Sequence, residues 1–175
     1  MKILVFTEGT IIMHPACKGL INRVRSIHDY RNYTPIGGAV KKLNIWKNQR
    51  VEIYYLTSRT TPQEVADIKY VLEKYNFPGY QNLLFRKKGE QYKDVAERLL
   101  PDILVEDDCE SIGGEVEMTY PYVRRNLKKK IKPVVVKEFG GIDHLPDDIK
   151  ELFTRISIYT HLTRVCPDLI GTKSI

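Results

Sequence analysis

Several apolar runs in this sequence are followed at once by residues that can bind or carry charge. Thr7-Glu8-Gly9-Thr10 follows Ile3-Leu4-Val5-Phe6, and Thr57-Ser58-Arg59 follows Val51 to Leu56. Glu106-Asp107-Asp108 follows Ile103-Leu104-Val105, and Lys137-Glu138-Phe139-Gly140-Gly141-Ile142-Asp143 follows Val134-Val135-Val136. Adjacent carboxylates are the oxygen donors that Mg²⁺ takes, and few are needed because the ion keeps several waters. Hydroxyl and amide donors beside a cation are what an anionic group requires once it leaves bulk water. Asp107-Asp108 is therefore a candidate metal site. Glu8 is a candidate to face the same cavity.

These residues need elements to position them. Short continuous apolar runs suit central strands of a parallel sheet covered on both faces, and Leu83-Leu84-Phe85 adds a fifth. Gly38 to Asn48 carries Ala39, Val40, Leu43 and Trp46 at helical spacing. Thr61-Pro62-Gln63-Glu64 opens another helix, with Thr61 as cap, Pro62 at the first helical position and Glu64 three residues after the cap. Its buried stripe is Val65, Ile68, Val71 and Leu72, and it should end near Asn76. Glu90 to Leu100 presents Val95, Ala96, Leu99 and Leu100 on one face, and Pro101 stops it. Trp46, Tyr54, Tyr55 and Tyr70 fall on element faces and are expected in the core. The alternation predicts an α/β fold: a doubly wound, three-layer, mostly parallel five-stranded sheet. In such sheets ligands bind outside the carboxyl ends of the strands, where the polar residues above lie.

Two segments break the alternation. Residues 13–35 form an insertion after the first strand, a candidate cap or lid, holding His14, Lys18, Arg23, Arg25, His28, Asp29 and Arg31. The two histidines sit beside basic residues and are candidates for phosphate recognition. The tail after Pro146 predicts a helix over Asp147 to Phe153, followed by Ile156-Ser157-Ile158-Tyr159, which has no assigned place. Asp143-His144 reads as a turn into Leu145-Pro146.

Taken in order, the strand-end motifs resemble the haloacid dehalogenase-like (HAD-like) superfamily, most of whose members are Mg²⁺-dependent phosphohydrolases. The resemblance runs from Lys2 to about Pro146. The family has an Asp-x-Asp-Gly-Thr type motif after the first strand, a Thr or Ser after the second, a later Lys on a helix, and an acidic pair after the fourth. Thr57, in Tyr55-Leu56-Thr57-Ser58-Arg59, matches the second motif, Lys93 the third and Asp107-Asp108 the fourth. Pro35 to Leu43 looks like the family's helix leading into the second strand. The resemblance implies a phosphate-binding set of Thr57, Ser58 and Lys93. It also implies Mg²⁺ as cofactor, held by Asp107 and Asp108 with Glu8, and a small phosphorylated ligand.

The first motif departs from the family. With Gly9-Thr10 matched to the family's Gly-Thr, Glu8 takes the acid/base place and Phe6 the nucleophile's. Matching the end of the apolar run instead puts Thr7 at the nucleophile and Gly9 at the acid/base. A third register makes Glu8 the nucleophile, with an oxygen displaced by about a bond length; errors of order 1 Å can cost ~100-fold in rate. Glu8 is the candidate catalytic residue, and no register supplies the aspartate. The expectation is a degenerate phosphomonoester hydrolase with weak or no turnover. The alternative is a non-catalytic phosphate-ligand-binding or regulatory module.

Composition agrees with a globular domain. The chain has 175 residues, 42% hydrophobic and 29% charged, enough for one domain, 1–175, with its own core. No apolar run reaches the ~18–20 residues of a membrane helix, and no secretory signal is expected in the opening MKILVFTEGT. Cys17, Cys109 and Cys166 are far apart and in no paired motif, which argues against disulfides or zinc and for a reducing, cytoplasmic setting. The net charge is +6, with basic residues crowded at Arg86-Lys87-Lys88 and at Arg124 to Lys132. No nucleic-acid motif accompanies them, so nucleic acid is an unlikely partner and the segment 124–132 supports only a third reading.

Overall fold

The computed structural model describes residues 1–17 and 28–154. Lys18, Arg23 and Arg25 of the insertion, and the tail from residue 155 with Ile156 to Tyr159 and Cys166, lie outside the described residues. Five parallel strands form the sheet, β1 (Lys2–Phe6), β4 (Glu52–Leu56), β5 (Leu83–Leu84), β6 (Ile103–Asp107) and β7 (Lys132–Val136), in the order β5-β4-β1-β6-β7. The two remaining strands, β2 (Ile12–Met13) and β3 (Thr34–Pro35), pair antiparallel and bracket the insertion. At two residues each they are too short to leave a periodic signal in the sequence.

Side chains alternate across β1, so the sheet has two buried faces. Ile3 and Val5 join the larger core, with Ala39, Leu43 and Trp46 of α1 (Ala39–Lys47) and Ile68, Val71 and Leu72 of α2 (Pro62–Lys74). Leu4 and Phe6 face the other side, with Val95 and Ala96 of α3 (Tyr92–Leu99) and Leu127 of α4 (Arg125–Lys128). The architecture is the expected three-layer α/β fold. Trp46 and Tyr55 are fully buried, and each finds a carbonyl: Trp46 Nε1 donates to Pro146 O at 3.0 Å, Tyr55 Oη to Pro78 O at 2.7 Å. Tyr70, expected in the core, is 37% exposed and lies under the Arg31 guanidinium, 3.9 Å from its ring centroid.

Thr61 caps α2 by accepting from Glu64 N, and Pro62 opens the helix. The helix expected over Asp147 to Phe153 starts later, at Glu151, and its described part is α5 (Glu151–Thr154). Side chains of α1 and of the turn after it claim the backbone before α5: Gln49 Nε2 donates to Asp147 O at 2.7 Å, and Ile149 N donates to Gln49 Oε1 at 3.0 Å. Lys42 pairs with Asp147 and donates to Leu145 O at 2.6 Å, so a tertiary strap replaces the first helical turn. Among the described residues no helix is long and apolar enough to cross a membrane.

Candidate functional site

Parallel pairing brings the carboxyl ends of β1, β4, β6 and β7 side by side, and the polar residues gather there. The β1 end turns sharply: Ile11 N and Ile12 N both donate to Thr7 O, at 2.9 and 3.0 Å, and Gly9 N to Ile12 O at 3.0 Å. This turn sends Glu8 to the β4 side and Thr10 to the β6 side, so two clusters form.

On the β4 side the Glu8 carboxylate is surrounded by donors. Thr57 Oγ1 donates to Oε1 at 2.6 Å, Ser58 N to Oε2 at 3.2 Å, and the Thr7 hydroxyl also donates to Oε2. The Arg59 guanidinium completes the ring, with Nε 3.4 Å from Oε1. Thr7 and Thr57 are fully buried, so their hydroxyls depend on these partners. Burial works against the charged form of Arg59, but the Glu8 carboxylate and the Tyr30 hydroxyl leave its pKa above the ordinary value. Arg59 donates to the Tyr30 hydroxyl and His28 Nδ1 lies 2.7 Å from the same oxygen, so His28 is linked to this cluster. His14 lies apart, 3.9 Å from the Asp29 carboxylate.

On the β6 side, carboxylate oxygens of Asp107, Asp108 and Glu138 lie within 4.8 Å of one another. Asp107 is 5% exposed, accepts from Thr10 Oγ1 at 2.8 Å and Cys109 N at 3.0 Å, and burial raises its pKa. Asp108 accepts from Glu138 N at 3.1 Å and faces Lys137 Nζ at 3.3 Å; Glu138 is held by Ser111 N and Oγ, both at 2.7 Å. Lys137, itself exposed and shared with Glu110, is the ammonium facing the trio, so negative charge is concentrated around the buried Asp107, and a buried charge is paired or coordinates a metal. The donors are all hard oxygen, which fits Mg²⁺. Glu8 is not brought into this trio.

Lys93 sits apart from both clusters, near the start of α3. It lines a cavity of about 230 Å³ with Arg86, Tyr92, Met118 and Tyr122. Tyr92 borders this cavity: Phe6 packs edge-on to its ring at 5.4 Å, and the Arg86 guanidinium lies 4.0 Å from its centroid. Glu106, next to Asp107 in β6, points to the opposite face of the sheet and takes Thr119 N at 2.7 Å. In the basic segment, Arg124 is paired with Glu97 at 2.6 Å and Lys128 Nζ donates to Pro121 O at 2.7 Å.

No family model matches the chain, and no curated protein matches it in sequence. Among solved structures it is similar to the class C acid phosphatase from Bacillus anthracis, with TM-score 0.54 and 13% identity over 80% of this chain and 67% of that one. The tungstate-bound form of that enzyme gives TM-score 0.52 and 14% identity over 80% and 68%. The fold is haloacid dehalogenase-like. In this haloacid dehalogenase-like frame three residues stand out that the sequence motifs did not single out. Glu138 follows β7, where the strand-end rule points, but a lone glutamate in a charged stretch carries no signal. Arg59 and Thr10 lie within motifs already noted, and only the turn geometry shows which carboxylate each one meets.

Proposed function

We propose that this chain holds a small phosphorylated ligand at the end of β4, through Thr57 and Ser58, with Mg²⁺ at Asp107, Asp108 and Glu138. Turnover is weak or absent. The carrying observation is that the Thr57 hydroxyl and Ser58 N–H already hold a two-oxygen anion, the Glu8 carboxylate, beside the acidic trio. The similarity to a phosphatase that binds tungstate, a phosphate-shaped oxyanion, agrees with this reading. When bound, Mg²⁺ would neutralise charge on the phosphoryl oxygens. Lys93, with Arg86, adds positive charge at the cavity mouth and attracts anions toward the site.

A free nucleophile is what the β1 end lacks. Phe6 packs on Tyr92 and has no lone pair to attack with. The Thr7 hydroxyl is fully buried and is spent on Glu8 and on Leu56 O. Glu8 is the remaining catalytic candidate, and each of its oxygens is engaged by at least two groups. A misplaced nucleophile is not rescued by good phosphate binding, because phosphoryl transfer rests on positioning and electrostatics. These contacts favour the alternative of a ligand-binding module that keeps the pocket without turnover.

The test has two arms. Calorimetric titration with Mg²⁺ should show weak binding that Asp107→Asn removes; identical isotherms would refute the metal site. A phosphate-release screen with Mg²⁺ over many phosphomonoesters should show slow or undetectable release. Robust release abolished in Glu8→Gln would make Glu8 the working carboxylate and overturn the inactive reading.

A further inference from the structure

The β4-end donors form a complete anion site, and the chain itself fills it. Thr57 Oγ1, Ser58 N and Arg59 Nε approach one carboxylate at 2.6, 3.2 and 3.4 Å, with the Thr7 hydroxyl as a fourth donor. These donors come from two neighbouring strand ends, yet all aim at the same two oxygens. Two of them, Thr7 and Thr57, are fully buried and need acceptors inside the fold: Leu56 O lies 3.2 Å from the Thr7 hydroxyl, and the Glu8 carboxylate accepts from both. A carboxylate and a phosphoryl group both present a pair of anionic oxygens to N–H and O–H donors, and a set built around one accepts the other.

We propose that Glu8 is a built-in occupant of an oxyanion site, and that an external phosphoryl group binds there only by displacing it. This rests on the reading above that the β4 end is the phosphate site. A tethered competitor acts at an effective concentration of millimolar or more, so inorganic phosphate at ~1 mM loses to Glu8 unless other parts of a ligand add affinity. The occupied site is not sealed: the Glu8 side chain is 15% exposed and that of Arg59 21%. A ligand must therefore bring contacts of its own, such as an anionic or aromatic part for the neighbouring Arg86, Lys93 and Tyr92 cavity, to open the site. The site selects against free phosphate and for phosphorylated molecules with a second anchoring group.

The probe is inorganic phosphate, titrated calorimetrically in chelator so that no metal contributes. Wild type should bind negligibly up to millimolar phosphate. Glu8→Ala should bind roughly tenfold tighter or more, since the charge-assisted bonds become free for the external anion. Adding Thr57→Val to Glu8→Ala should remove the gain. Should Glu8→Ala fail to fold by circular dichroism, the near-isosteric Glu8→Gln decides: its neutral amide loses the charge-assisted bonds to Ser58 N and Arg59, so it too should bind phosphate more tightly than wild type. Equal, measurable binding by wild type and variant overturns the occupancy and leaves the phosphate reading standing. Binding by neither overturns both.

Discussion

Gly9 separates the two clusters, and its backbone shows what that costs. It sits at φ +79°, and a Cβ there would stand 2.9 Å from Asp107 Oδ2. Its carbonyl accepts from Phe139 N at 2.8 Å, which ties the β1 turn to the loop after β7. A side chain would be strained by the left-handed backbone and would push Asp107 away from Thr10 together. Gly9→Ala should cost about 1–3 kcal/mol of stability and weaken Mg²⁺ binding at Asp107 as well. Urea unfolding reads the first as a lower midpoint at constant m-value, and calorimetry reads the second. An unchanged midpoint would show that the turn tolerates a Cβ and that the close approach does not hold Asp107.

At the scale of elements, local chemistry and tertiary contacts divide the helix ends between them. Thr61 caps α2 from within the segment, accepting from Glu64 N at 3.4 Å and donating to Glu64 Oε2 at 2.7 Å. α1 has no such residue, since Gly38 stands at its cap position; Gly38 N instead meets both oxygens of Asp143, at 2.9 and 2.8 Å. The Asp143-His144 turn thus serves as a remote cap. Thr61→Ala should lower stability by ~1 kcal/mol, the usual worth of an N-cap hydroxyl. For a chain of this size that is roughly a 2–4 °C fall in melting temperature. No shift on removal of the hydroxyl would mean the first turn of α2 is held by Pro62 and packing alone.

For the whole molecule, Glu106 links stability to pH. It is 2% exposed, takes Thr119 N at 2.7 Å and Tyr120 N at 3.0 Å, and so clamps the 108–123 connection to the back of the sheet. Burial pushes its pKa up to about 7, against the lowering effect of those two bonds. The unfolded carboxyl titrates near ~4.3, so between there and pH ~7 the native state holds the extra proton. Stability from this group is greatest at low pH, falls as pH rises through that window, and is flat above it. Urea melts from pH 4.5 to 7.5 in chelator should show that decline in wild type. Glu106→Gln should flatten it, because the amide takes up no proton in this window. An unchanged slope in the variant would place the pH dependence on other groups.

Much of this architecture is legible in the chain alone. The apolar runs at Ile3, Val51, Leu83, Ile103 and Val134 became the five parallel strands, because a strand buried on both faces has to be apolar throughout. Thr61-Pro62 marked the start of α2, since a cap acts within one turn of its own sequence. Strand-end position was enough to place Thr57, Ser58, Asp107 and Asp108 on one edge of the sheet. Which carboxylate meets which partner was decided only in three dimensions. The turn at Thr7 to Ile12 directs Glu8 to Thr57 and Thr10 to Asp107, residues 49 and 97 positions away. Glu138 joins Asp107 because β7 pairs with β6, and α5 starts late because Lys42 and Gln49 reach across to residues 145–149. Period and composition carry information along the chain over a few residues, whereas hydrogen-bond partners are chosen across it, by strand pairing and the shape of one turn.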